Sequence, residues 1–336
     1  MRVLAAMSGG VDSAVSALLM KEAGHTVIGV TMHLCGEPSP DAAAVAKKLG
    51  IPFETVDLRS EFSRLVIDPF ISAYEAGRTP NPCVDCNRAI KFGALFSVAD
   101  RLSCDAIATG HYARITREGD AYCLRKAADE SKDQSYMLSC LTQETLPRVL
   151  LPLGELSKAD VRALAAAHGF SNADKKDSQD ICFIPDGDHA AFLAKMRGDY
   201  PAGDFLAADG TKLGRHKGLV RYTVGQRKGL GLSLPSPLFV EKLDASQNAV
   251  ILNNEAALMK SSVTLSRVNV VSAHFPSDGV CTARVRYRQK EVPAKAEFPA
   301  DGRMKLDFFS PVRAPAPGQT AVLYGGDEVL AAGEIE

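Results

Sequence analysis

Residues 3–13, Val3-Leu4-Ala5-Ala6-Met7-Ser8-Gly9-Gly10-Val11-Asp12-Ser13, decide the fold of the first half of the chain. The apolar run at 3–7 predicts a buried parallel strand, and residues from about 14 to 22 predict a helix that ends before Gly24. The glycines between them let the backbone approach an anion closely, and the helix N-terminus offers unpaired N–H groups. The segment therefore predicts a phosphate-binding loop.

The side chains of this loop extend the prediction. Ser8 and Ser13 add hydroxyl donors, and Asp12 would repel a phosphate unless a cation lay between them, which indicates Mg²⁺. The loop lacks the lysine and the spacing of the Walker motif. A strand-to-helix turn with good capping residues is the structural alternative, but the string at 8–13 is more specific than such a turn requires.

Strands and helices alternate along the first half of the chain. We expect strands near 27–32, 53–58 and 106–108, and helices near 41–49, 61–76, 88–102 and 158–168, the last with a capping box at 157–160. After about residue 200, short alternating segments between Gly and Pro predict antiparallel strands. The fold class is α/β: a parallel-sheet nucleotide-binding domain at 1–195, a small β-rich domain at 196–258 and a C-terminal β-barrel at 259–336.

The composition restricts where a nucleic acid could bind. The 336 residues are 46% hydrophobic and carry a formal net charge of −1, so a basic surface must be local. Residues 210–240 contain six basic and no acidic residues: Lys212, Arg215, Lys217, Arg221, Arg227 and Lys228. Arg284, Arg286 and Arg288 would share one face of a late strand. A solvated face is the usual meaning of such runs, but two of them in a nearly neutral chain favour a phosphate-backbone footprint.

The compartment follows from what the sequence lacks. No apolar run approaches the length of a membrane span, and the N-terminus leads directly into the first strand, so we expect a cytoplasmic protein. In such a chain the eight cysteines are not a disulfide framework. Cys104, Cys123, Cys140 and Cys281 have apolar neighbours and are expected to be small buried side chains.

Cys83, Cys86 and Cys182 lie in polar segments punctuated by Pro or Gly and need another explanation. Cys86 leads into the helix predicted at 88–102, where the helix N-terminus should lower its pKa. Three explanations remain open from spacing alone. The thiols could be ordinary buried cysteines, Cys83 and Cys86 could form a redox pair or half of a zinc site, or one thiol could carry a persulfide that another attacks.

Motifs spread along nearly the whole chain resemble those of the tRNA-specific 2-thiouridylases (the MnmA/TrmU family), which belong to the ATP pyrophosphatases. They are residues 8–13, 77–87 with Ile90-Lys91-Phe92, Ala108-Thr109-Gly110-His111-Tyr112, Lys132-Asp133-Gln134-Ser135-Tyr136, 177–184, 225–231 and Arg286-Tyr287-Arg288-Gln289. The resemblance implies an adenine nucleotide α-hydrolase-like first domain. It also implies an enzyme that adenylates O2 of the wobble uridine with ATP and Mg²⁺ and then transfers persulfide sulfur, giving 2-thiouridine, AMP and pyrophosphate.

The resemblance also implies roles for single residues. Cys182 would carry the persulfide, Cys86 would be the second catalytic cysteine, and a Cys86–Cys182 disulfide would be an alternate state. The implied ATP contacts are Ala6, Met7, Ser8, Gly9, Gly10, Val11, Asp12, Ser13, Met32 and Gly110. The implied contacts with the flipped-out base or the tRNA are Asn81, Pro82, Cys83, His111, Lys132, Asp133, Gln134, Arg286, Tyr287 and Gln319. The implied partners are tRNAs for Lys, Glu and Gln and a persulfide donor protein (a cysteine desulfurase or a relay protein), with the enzyme a monomer.

Two features depart from the family pattern. The segment between Met32 and the helix at 41 is shorter than usual, and Cys83 stands where many members have Asp. The additional thiol permits an alternative in which Cys83, Cys86 and Cys182 hold a [4Fe–4S] iron–sulfur cluster with one open iron. Two rival functions also remain: another ATP pyrophosphatase acting on a small molecule, and a non-enzymatic tRNA-binding or thiol-redox protein.

Overall fold

The computed structural model describes residues 1–173, 181–299 and 301–336. Its first strands are β1 Arg2–Ala6, β2 Thr26–His33, β3 Phe53–Asp57, β4 Ala106–Ala108, β5 Arg114–Glu118, β6 Ala121–Arg125 and β7 Val149–Leu150. Five of them form a parallel sheet in the order β3-β2-β1-β4-β7. The side chains of Leu4, Val30 and Ile107 are fully buried, as the apolar composition of these strands predicts.

Most helices of the first 200 residues lie close to their predicted positions, but the one at His189–Arg197 was not predicted. The helices are α1 Val11–Glu22, α2 Pro40–Leu49, α3 Arg59–Phe62, α4 Asp68–Glu75, α5 Pro82–Cys86, α6 Leu95–Arg101, α7 Lys158–Ala167 and α8 His189–Arg197. π-Helical segments Ser63–Ile67 and Asn87–Ala94 join α3 to α4 and α5 to α6. The helix predicted from 88 therefore begins six residues earlier, with Pro82 in its first turn. The capping box at Ser157 and Asp160 is confirmed.

The strand order decides where a ligand can bind. The chain passes from β1 to β2 on one side and returns to β4 on the other, so the order reverses between β1 and β4. In open α/β sheets the crevice outside the carboxyl ends of the strands at this point is the usual ligand site. The loop at 7–10 after β1 and residues 109–110 after β4 both lie there.

The central region forms a small sheet of its own. Its strands are β8 Gly203–Ala207, β9 Lys212–His216, β10 Phe239–Asp244 and β11 Ala249–Asn253, in the order β10-β11-β8-β9. β8 and β11 are parallel, and the other neighbours are antiparallel. Phe205, Val240 and Val250 are fully buried in its core.

The C-terminal strands close into an antiparallel barrel. They are β12 Met259–Val270, β13 Val280–Arg284, β14 Val292–Glu297, β15 Met304–Arg313, β16 Thr320–Gly325 and β17 Glu328–Ile335. The six follow the order β12-β15-β14-β13-β16-β17, and β17 pairs again with β12. The predicted sequence of parallel sheet, small central domain and antiparallel barrel is thereby confirmed.

Two details of the barrel differ from expectation. β13 ends at Arg284, so Arg286 and Arg288 lie beyond it and the predicted shared strand face is wrong. The hairpin of β5 and β6, which the sequence analysis did not identify, attaches to the barrel where Glu328 of β17 pairs with Arg125. The first half of the chain thus contributes two strands to the C-terminal sheet. Among the described residues, no helix is long and apolar enough to cross a membrane.

Candidate functional site

The predicted phosphate loop has the geometry of an anion site. Gly10 is the N-cap of α1, and no described side chain caps the first turn, which leaves its N–H groups available to a ligand. The Ser13 hydroxyl donates to the Gly10 carbonyl oxygen at 2.9 Å and accepts from the Ser8 N–H at 3.1 Å. Gly9 has φ +81°, and a Cβ there would lie 2.5 Å from Ser39 Oγ. Only glycine fits this turn.

Gly110 closes the same site from the other side of the sheet. A Cβ on Gly110 would lie 2.7 Å from the carbonyl carbon of Asp12 and 2.8 Å from the Ser13 nitrogen. The loop after β4 is therefore packed directly on the first turn of α1. This contact places Gly110 beside the phosphate loop, where the sequence analysis expected it. Of the other predicted ATP residues, Met7 and Val11 are buried, Ser8 is exposed, and Ala6 and Met32 are half-buried.

Asp12 has a protein cation beside it. Lys158 Nζ, at the start of α7, lies 2.7 and 2.9 Å from the two carboxylate oxygens of Asp12. Tyr112 donates its hydroxyl to the same carboxylate at 2.7 Å, and Gln134 Oε1 accepts from the Tyr112 N–H at 2.9 Å. Lys158 was identified only as part of a capping box. Its side chain, brought from 146 residues away, neutralises the charge for which Mg²⁺ was invoked.

His111 connects the loop after β4 to Lys91. Its Nδ1 lies 2.8 Å from Thr109 Oγ1 and its Nε2 lies 3.3 Å from Lys91 Nζ. Burial, and then the positive charge of Lys91, hold the pKa of His111 well below its usual value. The imidazole is therefore neutral at pH 7, and its Nε2 accepts a hydrogen bond from the Lys91 ammonium.

Cys86 does not have the environment that the sequence predicted. It is the last residue of α5, not the residue before a helix, and only 8% of its surface is exposed. Burial raises the pKa of Cys86 to about 11, which Lys91 opposes. The expected lowering of its pKa is wrong because the helix begins at Pro82, four residues earlier. Cys86 packs in the same apolar cluster as Phe183 and Ile184.

Cys182 and Cys35 meet at the edge of that cluster. Both residues are exposed, and Cys35 Sγ lies 3.9 Å from the carbonyl oxygen of Cys182. A hydrogen bond from the Cys182 thiol lowers the pKa of Cys35 to about 7, and the same bond raises the pKa of Cys182. No role was predicted for Cys35, although its segment is as rich in Gly and Pro as those of Cys83, Cys86 and Cys182. Residues 177–180 of the Cys182 motif lie outside the described residues.

Cys83 completes the group of thiols. Cys83 lies on the first turn of α5 with part of its surface exposed. Desolvation of its thiol by neighbouring groups raises its pKa, and the charge of Lys91 opposes this effect. Among the described residues, only Glu118, Cys123 and His274 bring three metal-ligating atoms within 4.8 Å of one another. The sulfur atoms of Cys83, Cys86 and Cys182 are therefore too far apart to ligate one common ion without rearrangement.

The barrel holds the segment that was predicted to face the target base. Gln319 donates to the carbonyl oxygens of Thr79 and Pro80 at 2.8 and 3.3 Å, and Thr79 N–H donates to Pro317 at 2.7 Å. Next in the chain, Asn81 precedes α5 and Pro82 is buried. Gln319 thus fixes the backbone that leads to these residues.

Other predicted tRNA residues make contacts within the protein. Asp133 is buried and accepts from Ala127 N–H and from Ser135, while its carbonyl oxygen accepts from the Tyr287 hydroxyl at 3.1 Å. Arg286 donates to the carbonyl oxygens of Val224 and Ala314 at 2.8 and 2.9 Å. Lys132, next to Asp133, is half-buried. These residues join the first half of the chain, the central region and the barrel.

The basic run at 210–240 lies on the surface. Its six cations are exposed: Lys212, Arg215, Lys217, Arg221, Arg227 and Lys228. Lys212 pairs with Asp204 at 2.8 Å. Lys217 and Arg221 line one side of an open pocket of about 460 Å³, and Asp186 and Asp188 before α8 line its other side. The central region therefore presents a positively charged face.

Comparison with known proteins identifies the class first. A model described as a tRNA methyl transferase HUP domain matches residues 1–186, a tRNA methyl transferase PRC-barrel domain matches 190–254, and an aminomethyltransferase beta-barrel domain matches 260–335. The chain is thus a three-part protein built on a HUP-type nucleotide-binding domain.

Full-length relatives define the family more closely. The tRNA-specific 2-thiouridylase MnmA of Trichlorobacter lovleyi is 43% identical, over 100% of this chain and 97% of the relative. That of Chloroflexus aurantiacus is 45% identical, over 99% of this chain and 98% of the relative. The chain belongs to this family of tRNA-specific 2-thiouridylases. A solved 4-thiouridine synthetase–RNA complex with bound ATP is 18% identical with a TM-score of 0.37, covering 58% of this chain and 49% of that one.

Proposed function

We propose that the protein catalyses ATP-dependent 2-thiolation of the wobble uridine of tRNA. The observation that carries the proposal is the position of Lys91 between the two halves of the site. Its ammonium lies 3.3 Å from His111, the neighbour of Gly110, and its charge opposes the burial that raises the pKa of Cys83 and Cys86. Lys91 would therefore connect a phosphate loop to a group of thiols, the two parts that an adenylating sulfurtransferase requires. Methyl transfer, the reaction in the descriptions of two matching models, needs neither.

ATP fits the residues at the phosphate loop. The uncapped first turn of α1 and the backbone of Gly9 and Gly10 would hold its phosphates, and Gly110 leaves room beside them. Adenylation converts O2 of the uracil ring, a poor leaving group, into part of AMP, a good one. Asp12 would bind Mg²⁺ when ATP brings the ion, with Lys158 moving from the carboxylate to the phosphates.

The thiols would perform the second half of the reaction. Cys182 would carry the persulfide, whose outer sulfur attacks C2 of the adenylated base and expels AMP. Cys86 would then attack Cys182, releasing 2-thiouridine and leaving a Cys86–Cys182 disulfide that a thiol reductant reopens. The burial of Cys86 requires that the bound substrate or a movement of residues near 182 expose its sulfur.

Residues around α5 would bind the target base, and the surfaces beside them would bind the rest of the tRNA. Asn81, Pro82 and Cys83 line the segment that the barrel fixes, and a flipped-out uracil would enter beside it. The exposed cations at 212–228 would contact the phosphate backbone. The further residues predicted to contact the tRNA are His111, Lys132, Asp133, Gln134, Arg286, Tyr287 and Gln319. Experiments that substitute them should allow for the contacts that they make within the protein. The proposed partners are tRNAs for Lys, Glu and Gln and a persulfide donor protein, with the enzyme a monomer.

An iron–sulfur alternative is favoured by one observation, the thiol at position 83 next to Cys86 and within the electrostatic reach of Cys182. Three thiolates could hold a [4Fe–4S] cluster whose free iron binds the sulfur donor. Iron and sulfide analysis of anaerobically purified protein distinguishes the two routes. A colourless, iron-free and fully active enzyme excludes the cluster.

The proposed function is tested by incubating the protein with ATP, Mg²⁺, a persulfide source and unmodified tRNA. We expect 2-thiouridine by mass spectrometry of digested tRNA, together with AMP. Cys182→Ser should give none, whereas Cys281→Ala, a buried cysteine of the barrel, serves as the matched control. Formation of AMP without thiouridine in the unaltered protein, or no ATP cleavage at all, would contradict the proposal.

A further inference from the structure

Three observations concern the pair formed by Cys35 and Cys182. Cys35 Sγ lies 3.9 Å from the Cys182 carbonyl oxygen, and each thiol shifts the pKa of the other. Both residues are exposed, whereas Cys86 is buried. Cys35, Cys86 and Cys182 do not have all three sulfur atoms within 4.8 Å of one another. In the described structure, Cys35 is thus an exposed thiol whose sulfur contacts the backbone of Cys182.

The segments that carry the two thiols are held together by apolar packing. Phe183 and Ile184, immediately after Cys182, are buried, and Leu34 and Ile181 pack against the same cluster. Phe183 makes edge-on ring contacts with Phe62 and Phe70 at 5.6 and 5.3 Å between centroids. The neighbours of both cysteines are therefore anchored in one core, so their contact follows from the fold rather than from two freely moving side chains.

We propose that Cys35 is a second resolving thiol, which attacks Cys182 after sulfur transfer and forms a Cys35–Cys182 disulfide. The inference rests on the proposed function, because it concerns the step that releases the thiolated base. It gives Cys182 a second thiol that can perform the reaction proposed above for Cys86.

The step balances in atoms and electrons. After the outer persulfide sulfur has displaced AMP, Cys182 Sγ is bonded through that sulfur to C2 of the base. The Cys35 thiolate attacks Cys182 Sγ, so a bond forms between the two cysteine sulfurs and the bond from Cys182 Sγ to the transferred sulfur breaks. The electron pair goes to the transferred sulfur, which remains on C2 as the thiocarbonyl. Two thiols are oxidised, the sulfane sulfur is reduced, and an external dithiol restores the enzyme.

The position of Cys35 explains why a second thiol is useful here. A buried thiol can attack only after it has been exposed, whereas Cys35 is exposed and adjacent to its target. The segment that carries it, 33–40, leads into α2, and the side chain of Ser39 packs against Gly9 of the phosphate loop. Cys35 therefore lies on a connection between the two halves of the site.

The experiment is a single turnover without reductant. Protein loaded with persulfide by a cysteine desulfurase and cysteine is mixed with ATP, Mg²⁺ and unmodified tRNA, alkylated, and digested without reduction. We expect the peptide containing Cys35 to be linked to that containing Cys182 in an amount similar to the thiouridine formed. Cys35→Ser should lose this linkage and release thiouridine more slowly, with the remaining disulfide joining Cys86 to Cys182. Cys104→Ala is the control, because its thiol is buried in another cluster.

Two readouts keep the outcomes distinct. Persulfide on Cys182 in Cys35→Ser shows that the variant is folded and loaded, and dithiothreitol should restore its turnover because an external thiol replaces the missing one. The inference is overturned if the unaltered protein shows only a Cys86–Cys182 linkage and Cys35→Ser releases thiouridine at the unaltered rate. If the unaltered protein makes no thiouridine, the proposed function fails, and the inference fails with it.

Discussion

The phosphate loop and the group of thiols are built in opposite ways. The loop consists of consecutive residues, and its shape depends on Gly9 and Gly10, the backbone of α1 and two serines that bond to each other across one turn. The thiols come from three segments, near 35, 83–86 and 182, that only the tertiary fold brings together. A site made of backbone can be fixed before its ligand arrives. A site made of side chains from separate segments can change partners during the reaction, as disulfide exchange requires.

The largest expected effect separates the two regions. Cys182→Ser should lower thiouridine formation by about a thousandfold or more, since a serine hydroxyl cannot form a persulfide. ATP affinity, measured by calorimetry, should remain unchanged because the phosphate loop does not depend on this thiol. Loss of ATP binding in this variant would show that the regions are one cooperative unit.

The reverse change tests the loop. Gly110→Ala places a methyl group 2.7 Å from the Asp12 carbonyl carbon, and overpacking of ~1–3 kcal/mol should weaken ATP binding about ten- to hundredfold. Persulfide loading of Cys182 should proceed as before. Gly24→Ala is the control for backbone strain alone, because Gly24 has φ +80° and its Cβ would meet no atom within 4 Å. Equal ATP affinity in the two variants would contradict the packing argument.

A smaller effect is expected from the residue that links the regions. Lys91→Met removes the charge that lowers the pKa of Cys83 and Cys86, so their alkylation at pH 8 should slow by about three- to tenfold. Rates of alkylation at each cysteine, followed by mass spectrometry against pH, measure this. Lys47→Met on α2 provides the control. An unchanged pH profile would contradict the proposed role of Lys91 between the phosphate loop and the thiols.

The smallest effect concerns His111. Its folded-state pKa is depressed, so between that value and the unfolded pKa of about 6.5 the unfolded chain binds more protons, and stability is lost as pH falls. Between pH 7 and pH 5.5 this group should remove about 1 kcal/mol from the free energy of unfolding. Denaturant unfolding of His111→Gln should show a loss smaller by that amount. Burial lowers the pKa of His189 and His216 too, so the difference between variant and unaltered protein is the relevant quantity.

Local patterns predicted the phosphate loop, the parallel sheet and the barrel, because each depends on neighbours in sequence or on a regular period. Lys158 and Cys35 could not be assigned in this way, since their partners Asp12 and Cys182 are about 150 residues away. The attachment of the hairpin of β5 and β6 to β17 could not be predicted locally, because Arg125 and Glu328 lie far apart in sequence. The position of Cys86 within a helix could have been predicted, because Pro82 is a good first helical residue and a helix that begins there includes Cys86 one turn later.

The pairings of β17 have a consequence for the order in which the molecule is made. This strand is synthesised after all the other described strands, yet it closes the barrel against β12, receives the hairpin of β5 and β6, and carries Glu334, which pairs with Arg78 at 2.6 Å just before the target-base segment. While the ribosome is still translating residues 126–327, the edge of β6 lacks its partner β17. This edge can then pair with strands of other chains. Catalytic competence should therefore appear in one late step after translation of β17. Nascent chains stalled before residue 328 should depend on chaperones to remain in solution.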